Sequence, residues 1–307
     1  MKNFRFSLAL LFAVFIIGFS ACKKDEVEKP DSTVIKDFES GSIGEFTKVN
    51  ETEWELYLAD DNDNPDLPDT WRNWWYVKMN NLNTDAATTI ILKNRGWPYF
   101  YLPVYSYDNK EWYRFTEDEV TQNEDDELIM EKQFDYGSVW LARFYPYTFT
   151  DLENYLGTIQ GSTYVSIDET PKSQAGKSLF FIKITDFNVP VITKKRVFMH
   201  ARTHPAETPP SFLIEGMIDF LLSESSEAAE LIANFEFYIF PMQNVDGVIV
   251  GNYRSTPQTE NLEVMWYYDS ENTLDLTPDA PQEVQIIHQY ALDLMNDGGP
   301  PISMALN

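Results

Sequence analysis

His204 and Glu207 are the residues whose types and spacing could do chemistry. They stand three apart in His204-Pro205-Ala206-Glu207-Thr208-Pro209-Pro210, directly after the apolar run 196–201. Pro205 stiffens the turn, and the proline pair at 209–210 favours the opening of a helix. An imidazole and a carboxylate on such a turn can converge on one divalent ion, and zinc, which accepts nitrogen and oxygen donors, is the natural candidate. His-x-x-Glu alone is a weak signal, since it equally describes a turn histidine bonded to the backbone. A second cluster, Asp60-Asp61-Asn62-Asp63-Asn64-Pro65-Asp66, places oxygen ligands at alternate positions as a calcium loop would. It lacks the glycine at the sharp turn and the terminal bidentate glutamate, which argues against calcium. The acidic run 124–127 reads as a solvated loop.

These residues need a scaffold, and the chain is long enough to supply one. Its 307 residues correspond to about two domains. Hydrophobic residues make up 43%, with 21 Phe, 17 Tyr and 8 Trp, a composition that excludes wholesale disorder. The 23 basic against 49 acidic residues give a formal charge of −26, which argues against nucleic acid or any other polyanion as a partner. The single cysteine excludes an intramolecular disulfide framework and a thiolate-rich zinc site. From residue 34 to 157, short strand-like runs (54–58, 74–79, 88–92, 99–104, 139–144) are separated by Asn, Asp, Pro and Gly clusters, the pattern of an antiparallel β-sandwich. From 158 onward, the apolar strands 196–201 and 235–240 alternate with segments of helical spacing at 211–223 and 281–296, which predicts an α/β sheet.

The first 21 residues carry Lys2 and Arg5 ahead of an apolar run at 8–19 that is too short to span a bilayer as a helix. They read as an export signal. The run ends in Phe19-Ser20-Ala21-Cys22, similar to the lipobox of bacterial lipoproteins, so Cys22 is the expected lipidation site. Residues 22–33 are then a polar tether, and the expected location is a lipid-anchored protein of the cell envelope, at the outer membrane.

Taken in order, three motifs make the zinc reading specific: His-Pro-Ala-Glu-Thr at 204–208 after a strand, Phe-Glu-Phe-Tyr-Ile-Phe-Pro-Met-Gln-Asn-Val-Asp-Gly-Val at 235–248, and Gly251-Asn252-Tyr253-Arg254. Together they resemble the zinc carboxypeptidase family, nearest its cytosolic-carboxypeptidase-like branch. The segments Asp37-Phe38-Glu39-Ser40-Gly41, 74–79 and 145–152 resemble the N-terminal domain of that branch. The resemblance implies an α+β chain of two domains: a sandwich at 34–157, then at 158–307 the first half of a doubly wound mixed-sheet domain. It also implies Zn²⁺ as cofactor, with His204 and Glu207 as two of three ligands. Arg254 matches the arginine that polarises the scissile carbonyl, and the substrate would be a peptide or protein hydrolysed by zinc-activated water. Without the resemblance, Arg254 is a surface arginine after a strand.

Departures from the family pattern carry their own expectations. The pair Asn-Arg that grips a free C-terminal carboxylate is replaced here by Glu263 and Val264, and a carboxylate in that place repels such a terminus. A basic, amidated or internal group is the expected substrate feature instead. The third ligand and the general-base glutamate would follow Asn307, after a strand at 302–307, so the chain reads as the N-terminal part of a longer enzyme. His200 and His288 fall on a strand and beside the apolar stripe of a helix, positions that suit structural histidines. The rival reading is a non-catalytic surface-binding lipoprotein with a vestigial metal site.

Overall fold

The structure, a computed structural model, describes residues 33–268, 270 and 274–307. The proposed signal, Cys22 and all but Thr33 of the tether lie outside the described residues. The N-terminal strands are β1 (Val34–Ile35), β2 (Phe46–Asn50), β3 (Glu53–Tyr57), β4 (Tyr76–Asn80), β5 (Thr88–Lys93), β6 (Val104–Ser106), β7 (Trp112–Arg114), β8 (Val120–Gln122), β9 (Leu128–Lys132) and β10 (Ser138–Ala142). They form two five-stranded sheets, ordered β1-β4-β10-β6-β7 and β2-β3-β5-β9-β8. Alternation explains why the two sheets pack face to face. Trp54 and Leu56 of β3, Ile90 and Leu92 of β5, and Leu128 and Met130 of β9 share one core with Val77 and Met79 of β4 and Val139 and Leu141 of β10. Pairing is antiparallel except between β3 and β5, which run parallel.

The second half continues with α1 (Phe149–Ile159), β11 (Val165–Asp168), β12 (Phe181–Ile184), β13 (Lys195–His200), α2 (Pro209–Leu221), α3 (Ser226–Asn234), β14 (Phe235–Phe240), α4 (Val245–Val250), β15 (Trp266–Tyr268), β16 (Leu274–Leu276), α5 (Gln282–Asn296) and β17 (Ile302–Leu306). Its main sheet is mixed, in the order β11-β12-β14-β13-β17, with β13 parallel to both β14 and β17. Helices cover both faces. Ile182 of β12 lies among Leu152 and Tyr155 of α1 and Ile214 and Ile218 of α2, whereas its neighbour Phe181 and Phe240 of β14 meet Tyr290 of α5 at ring distances of 4.5 and 5.3 Å. Such two-sided cover is what a near-continuous apolar strand such as Phe235–Phe240 demands.

Helix α1, which begins ahead of the expected boundary at 157, packs with the second half. Phe149, Leu152, Leu156 and Ile159 of α1 pack in the core of the second half, so the chain crosses between the two cores ahead of Tyr147. A helix joins whichever core accepts its apolar stripe, and spacing alone does not name that core.

A buried ionic network ties β13 to the approach of β17. Arg196, 2% exposed, bonds Glu236 Oε2 at 3.1 Å and Asp297 Oδ2 at 2.6 Å, and donates to the carbonyls of Leu294 and Pro300. Glu236 is fully buried and also meets Lys183 at 2.7 Å and the Tyr238 hydroxyl at 2.9 Å.

Candidate metal centre

Parallel strands β13, β14 and β17 deliver their carboxyl ends to one edge of the sheet, the place where open α/β sheets build ligand sites. Three loops meet there. The loop after β13 carries His204 and Glu207, the turn after β14 carries Gln243 and Asn244, and the segment after α4 carries Arg254.

The loops are locked to one another through their backbones. Gln243 N–H donates to Ala201 O at 2.8 Å, Asn244 N–H to Arg202 O at 3.0 Å, and Ala206 N–H to Tyr253 O at 3.2 Å. Asn244 also caps α4, its Oδ1 accepting from Gly247 N–H at 3.0 Å. Gly247 has to be glycine here, because a Cβ would stand 2.5 Å from both the Pro205 ring and Ser255 O. Arg202 holds the His204 loop from inside. Its backbone is left-handed at φ 58°, and its buried guanidinium donates to Tyr147 O at 3.1 Å, Ser211 Oγ at 2.8 Å and Pro205 O. Burial pulls its pKa down to about 10, so it still carries its charge at neutral pH. Motif reading passed over Arg202, although its place between the strand and His-x-x-Glu was a signal.

His204 is enclosed, with 7% of its side chain exposed, and three acceptors surround its ring. Nδ1 lies 3.0 Å from Glu207 Oε1, while Nε2 lies 3.2 Å from Asn261 Oδ1 and 3.3 Å from Glu263 Oε2. A neutral imidazole has a single N–H. With that proton on Nε2, donated toward Asn261, the Nδ1 lone pair faces the Glu207 carboxylate. Two electron-rich atoms so close repel each other unless a cation joins them, either a proton or a metal ion. When that cation is a proton, the hydrogen bond with His204 draws the Glu207 carboxyl below the usual carboxylate range, against the opposing effect of burial. An imidazole nitrogen and a carboxylate oxygen presented together fit zinc as two donors. Among the described residues, no group of three or more His, Cys, Asp and Glu side chains is placed to hold a metal.

Asn261 orients the ring, a role that the motifs did not reveal. Its Oδ1 also accepts from Glu263 N–H at 3.1 Å, which fixes the amide at the start of the short turn 262–265. Arg254 reaches the same place. Its Nη2 bonds Glu263 Oε2 at 2.8 Å, so one carboxylate oxygen serves both Arg254 and His204. Val264 is 61% exposed and contributes no charge. The strand foreseen at the chain's last residues is present as β17, and it brings Asn307 Oδ1 to 3.1 Å from Thr203 Oγ1, beside His204.

The other histidines stand apart from this pair. His200 Nδ1 lies 3.1 Å from Gln243 Oε1, and its ring stacks on Trp266. Burial lowers its pKa to about 4, so it is neutral at pH 7. His288 meets the edge of Trp266 at 5.8 Å. Within the acidic run at 60–66, Asp61 turns inward: it is 3% exposed and accepts from the backbone of the Arg254 segment, while Asp63 and Asp66 are exposed.

Comparison with known proteins identifies the family of both halves of the chain. Residues 34–144 match the family model of the cytosolic carboxypeptidase N-terminal domain, and residues 152–276 match that of zinc carboxypeptidase. The chain is 32% identical over 246 residues to cytosolic carboxypeptidase 2 of Mus musculus, covering 71% of this chain and 28% of that protein. It is 29% identical over 286 residues to cytosolic carboxypeptidase 6 of the same species, covering 85% and 49%. It therefore spans between about a quarter and a half of the length of these curated relatives. Among solved structures, a metallo-carboxypeptidase from Pseudomonas aeruginosa matches with a TM-score of 0.72 at 19% identity, covering 89% of this chain and 68% of that one. A metallo-carboxypeptidase from Burkholderia cenocepacia gives 0.70 at 20% identity, covering 87% and 68%. At such identities the structures speak for the fold. The expected location, a lipid-anchored envelope protein, is corrected by the sequence relatives, which are named cytosolic carboxypeptidases. Among the described residues, no helix is long and apolar enough to cross a membrane. With both family models matched in order and the sheet, loops and paired donors in the arrangement described, the chain belongs to the zinc carboxypeptidase family and carries the cytosolic carboxypeptidase N-terminal domain ahead of its zinc carboxypeptidase domain.

Proposed function

We propose that this chain serves a zinc-dependent metallocarboxypeptidase, with His204 and Glu207 as metal donors and Arg254 as the cation that meets the scissile carbonyl. The observation that carries the reading is the approach of His204 Nδ1 to Glu207 Oε1 at 3.0 Å while Nε2 lies against Asn261, which sets an imidazole nitrogen and a carboxylate side by side for one cation, a proton or a metal ion, to join. Zinc held there supplies Lewis acidity toward a carbonyl and toward water. The residues of this chain do the rest of the work that can be traced. Asn261 meets Nε2 of the His204 ring and so leaves Nδ1 toward Glu207, and Arg202 and Asn244 hold the loop.

Arg254, 26% exposed, is a fixed positive charge at the rim, suited to an oxygen that gains negative charge as the amide is attacked. Glu263 competes for that guanidinium. A peptide with a free C-terminal carboxylate would have to enter beside Glu263, with Val264 offering nothing to bind it. We therefore favour a substrate whose reacting end is basic, amidated or internal.

Zinc analysis tests the metal assignment. Purified, zinc-loaded protein is expected to hold one zinc per chain by elemental analysis, and His204→Ala to lose it with the fold retained by circular dichroism. A protein that takes up no zinc, or a variant that keeps it, would refute the reading.

A further inference from the structure

The loop 60–64 belongs to the N-terminal sandwich, yet its polar atoms are spent on the segment that carries Arg254, about 190 residues later. The Asp61 carboxylate is buried and accepts four bonds from that segment: Tyr253 N–H at 2.6 Å, Arg254 N–H at 2.9 Å, Ser255 N–H at 2.8 Å and Ser255 Oγ–H at 2.9 Å. Three consecutive backbone N–H groups converging on one anion form a nest, and its shape sets the dihedrals of the residues that make it. Neighbouring bonds repeat the grip. Asn62, left-handed at φ 59°, exchanges bonds with Asn252, its N–H donating to Asn252 Oδ1 at 3.1 Å and its Oδ1 accepting from Asn252 Nδ2 at 2.8 Å. Asp60 anchors the loop to the sandwich by a 2.6 Å ion pair with Arg72.

A second sandwich loop seizes the other end of the segment. Ser40 donates through N–H to Ile249 O at 3.0 Å and through Oγ–H to Val248 O at 2.7 Å, capping carbonyls at the end of α4. Gly251, left-handed at φ 81°, lies so close to Gly41 that a Cβ would stand 2.4 Å from the Gly41 carbonyl oxygen. The stretch from 248 to 255 is thus held from the sandwich at both ends, with Arg254 between the anchors.

We infer that Asp61 is a positioning residue for Arg254, so that the N-terminal sandwich builds part of the reaction site through the backbone nest at 253–255. The inference rests on the reading of Arg254 given above. A carboxylate is required because only an anion-acceptor group takes all four donors; in Asp61→Asn, one oxygen becomes an N–H₂ that faces an N–H. Asp61 touches no substrate, and its effect passes through the place where the guanidinium stands.

The test uses the zinc-loaded chain, with a peptide phosphonate as a probe for the tetrahedral anion. Asp61→Asn is expected to keep one zinc per chain, to speed amide hydrogen exchange at 253–255 roughly tenfold or more, and to weaken the phosphonate by about 10²-fold, as a small misplacement of a catalytic group does. Arg254→Ala should weaken the probe similarly, and the double variant should be no worse than either single one. Three results overturn the inference. Asp61→Asn with unchanged probe affinity, beside a weakened Arg254→Ala, refutes the positioning role. Loss of zinc together with the probe shows that Asp61 maintains the fold at large. An Arg254→Ala that binds the probe as well as the native chain removes the reading of Arg254 and the positioning role with it.

Discussion

Replacing Glu263 by glutamine should shift ligand preference toward a free C-terminal carboxylate, and the size of the shift follows from the site's geometry. Gln keeps the shape and can still bond Asn261's turn, but it removes the negative charge that lies 2.8 Å from Arg254 Nη2 and 3.3 Å from His204 Nε2. The Glu263 side chain is 52% exposed, so its pairing with Arg254 is worth only about 0.5–1 kcal/mol. An incoming carboxylate that takes over Arg254 also stands within roughly 5–6 Å of Glu263, and at an effective dielectric of about 80 the repulsion adds about 0.7 kcal/mol. The two effects sum to about 1.4 kcal/mol, or tenfold in affinity. Calorimetric titration of the zinc-loaded protein with an acylated amino acid and with its amide measures this directly. Glu263→Gln should raise the acid-to-amide affinity ratio by about tenfold, and added salt should shrink the gain because both groups are near solvent. A ratio that stays level or falls would show that Glu263 does not govern the fate of Arg254, and would refute the electrostatic argument for an unusual substrate end.

Two further outcomes test the scaffold. Arg196→Met should lower the unfolding free energy in urea by about 3 kcal/mol, toward the lower end for breaking a buried pair because Glu236 keeps Lys183 and Tyr238; a loss under about 1 kcal/mol would mean the network is dispensable. His200 makes stability depend on pH in one window. Its folded pKa of about 4 lies below the ordinary value of 6.5, so the unfolded chain takes a proton that the folded one refuses. Stability from this group is complete above about pH 6.5 and drains as pH falls toward 4, by about 2 kcal/mol at pH 5. The slope between pH 7 and 5 should be shallower in His200→Gln by that amount, and equal slopes in the two proteins would contradict the burial argument.

Local chemistry was legible in the chain. His204 and Glu207 stand out as a candidate pair because both side chains sit on one rigid turn, where covalent spacing alone brings them together. Strand alternation in Thr88–Lys93 likewise assigns a buried face with no knowledge of the neighbours. Direction of pairing is different: β3 and β5 run parallel within a sandwich otherwise paired in the opposite sense, and a period of two residues is the same for either direction. For a similar reason α1 could be seen as a helix while its allegiance to the second core could not.

The acidic run 60–66 shows where such reading stops. Its composition suggests a loop open to solvent or to an ion, and nothing within it points to a backbone nest about 190 residues away. Glu263 was recognisable as a departure from the family pattern, but its sharing of one oxygen between Arg254 and His204 depends on where three separate loops come to rest. Sequence determined which groups could act, because reactivity resides in side chains and their near neighbours along the chain. Tertiary structure decided which of them are paired, turned inward or held in place, because an electrostatic or hydrogen-bonded partner is chosen by distance in space, and folding brings together residues that the chain keeps far apart.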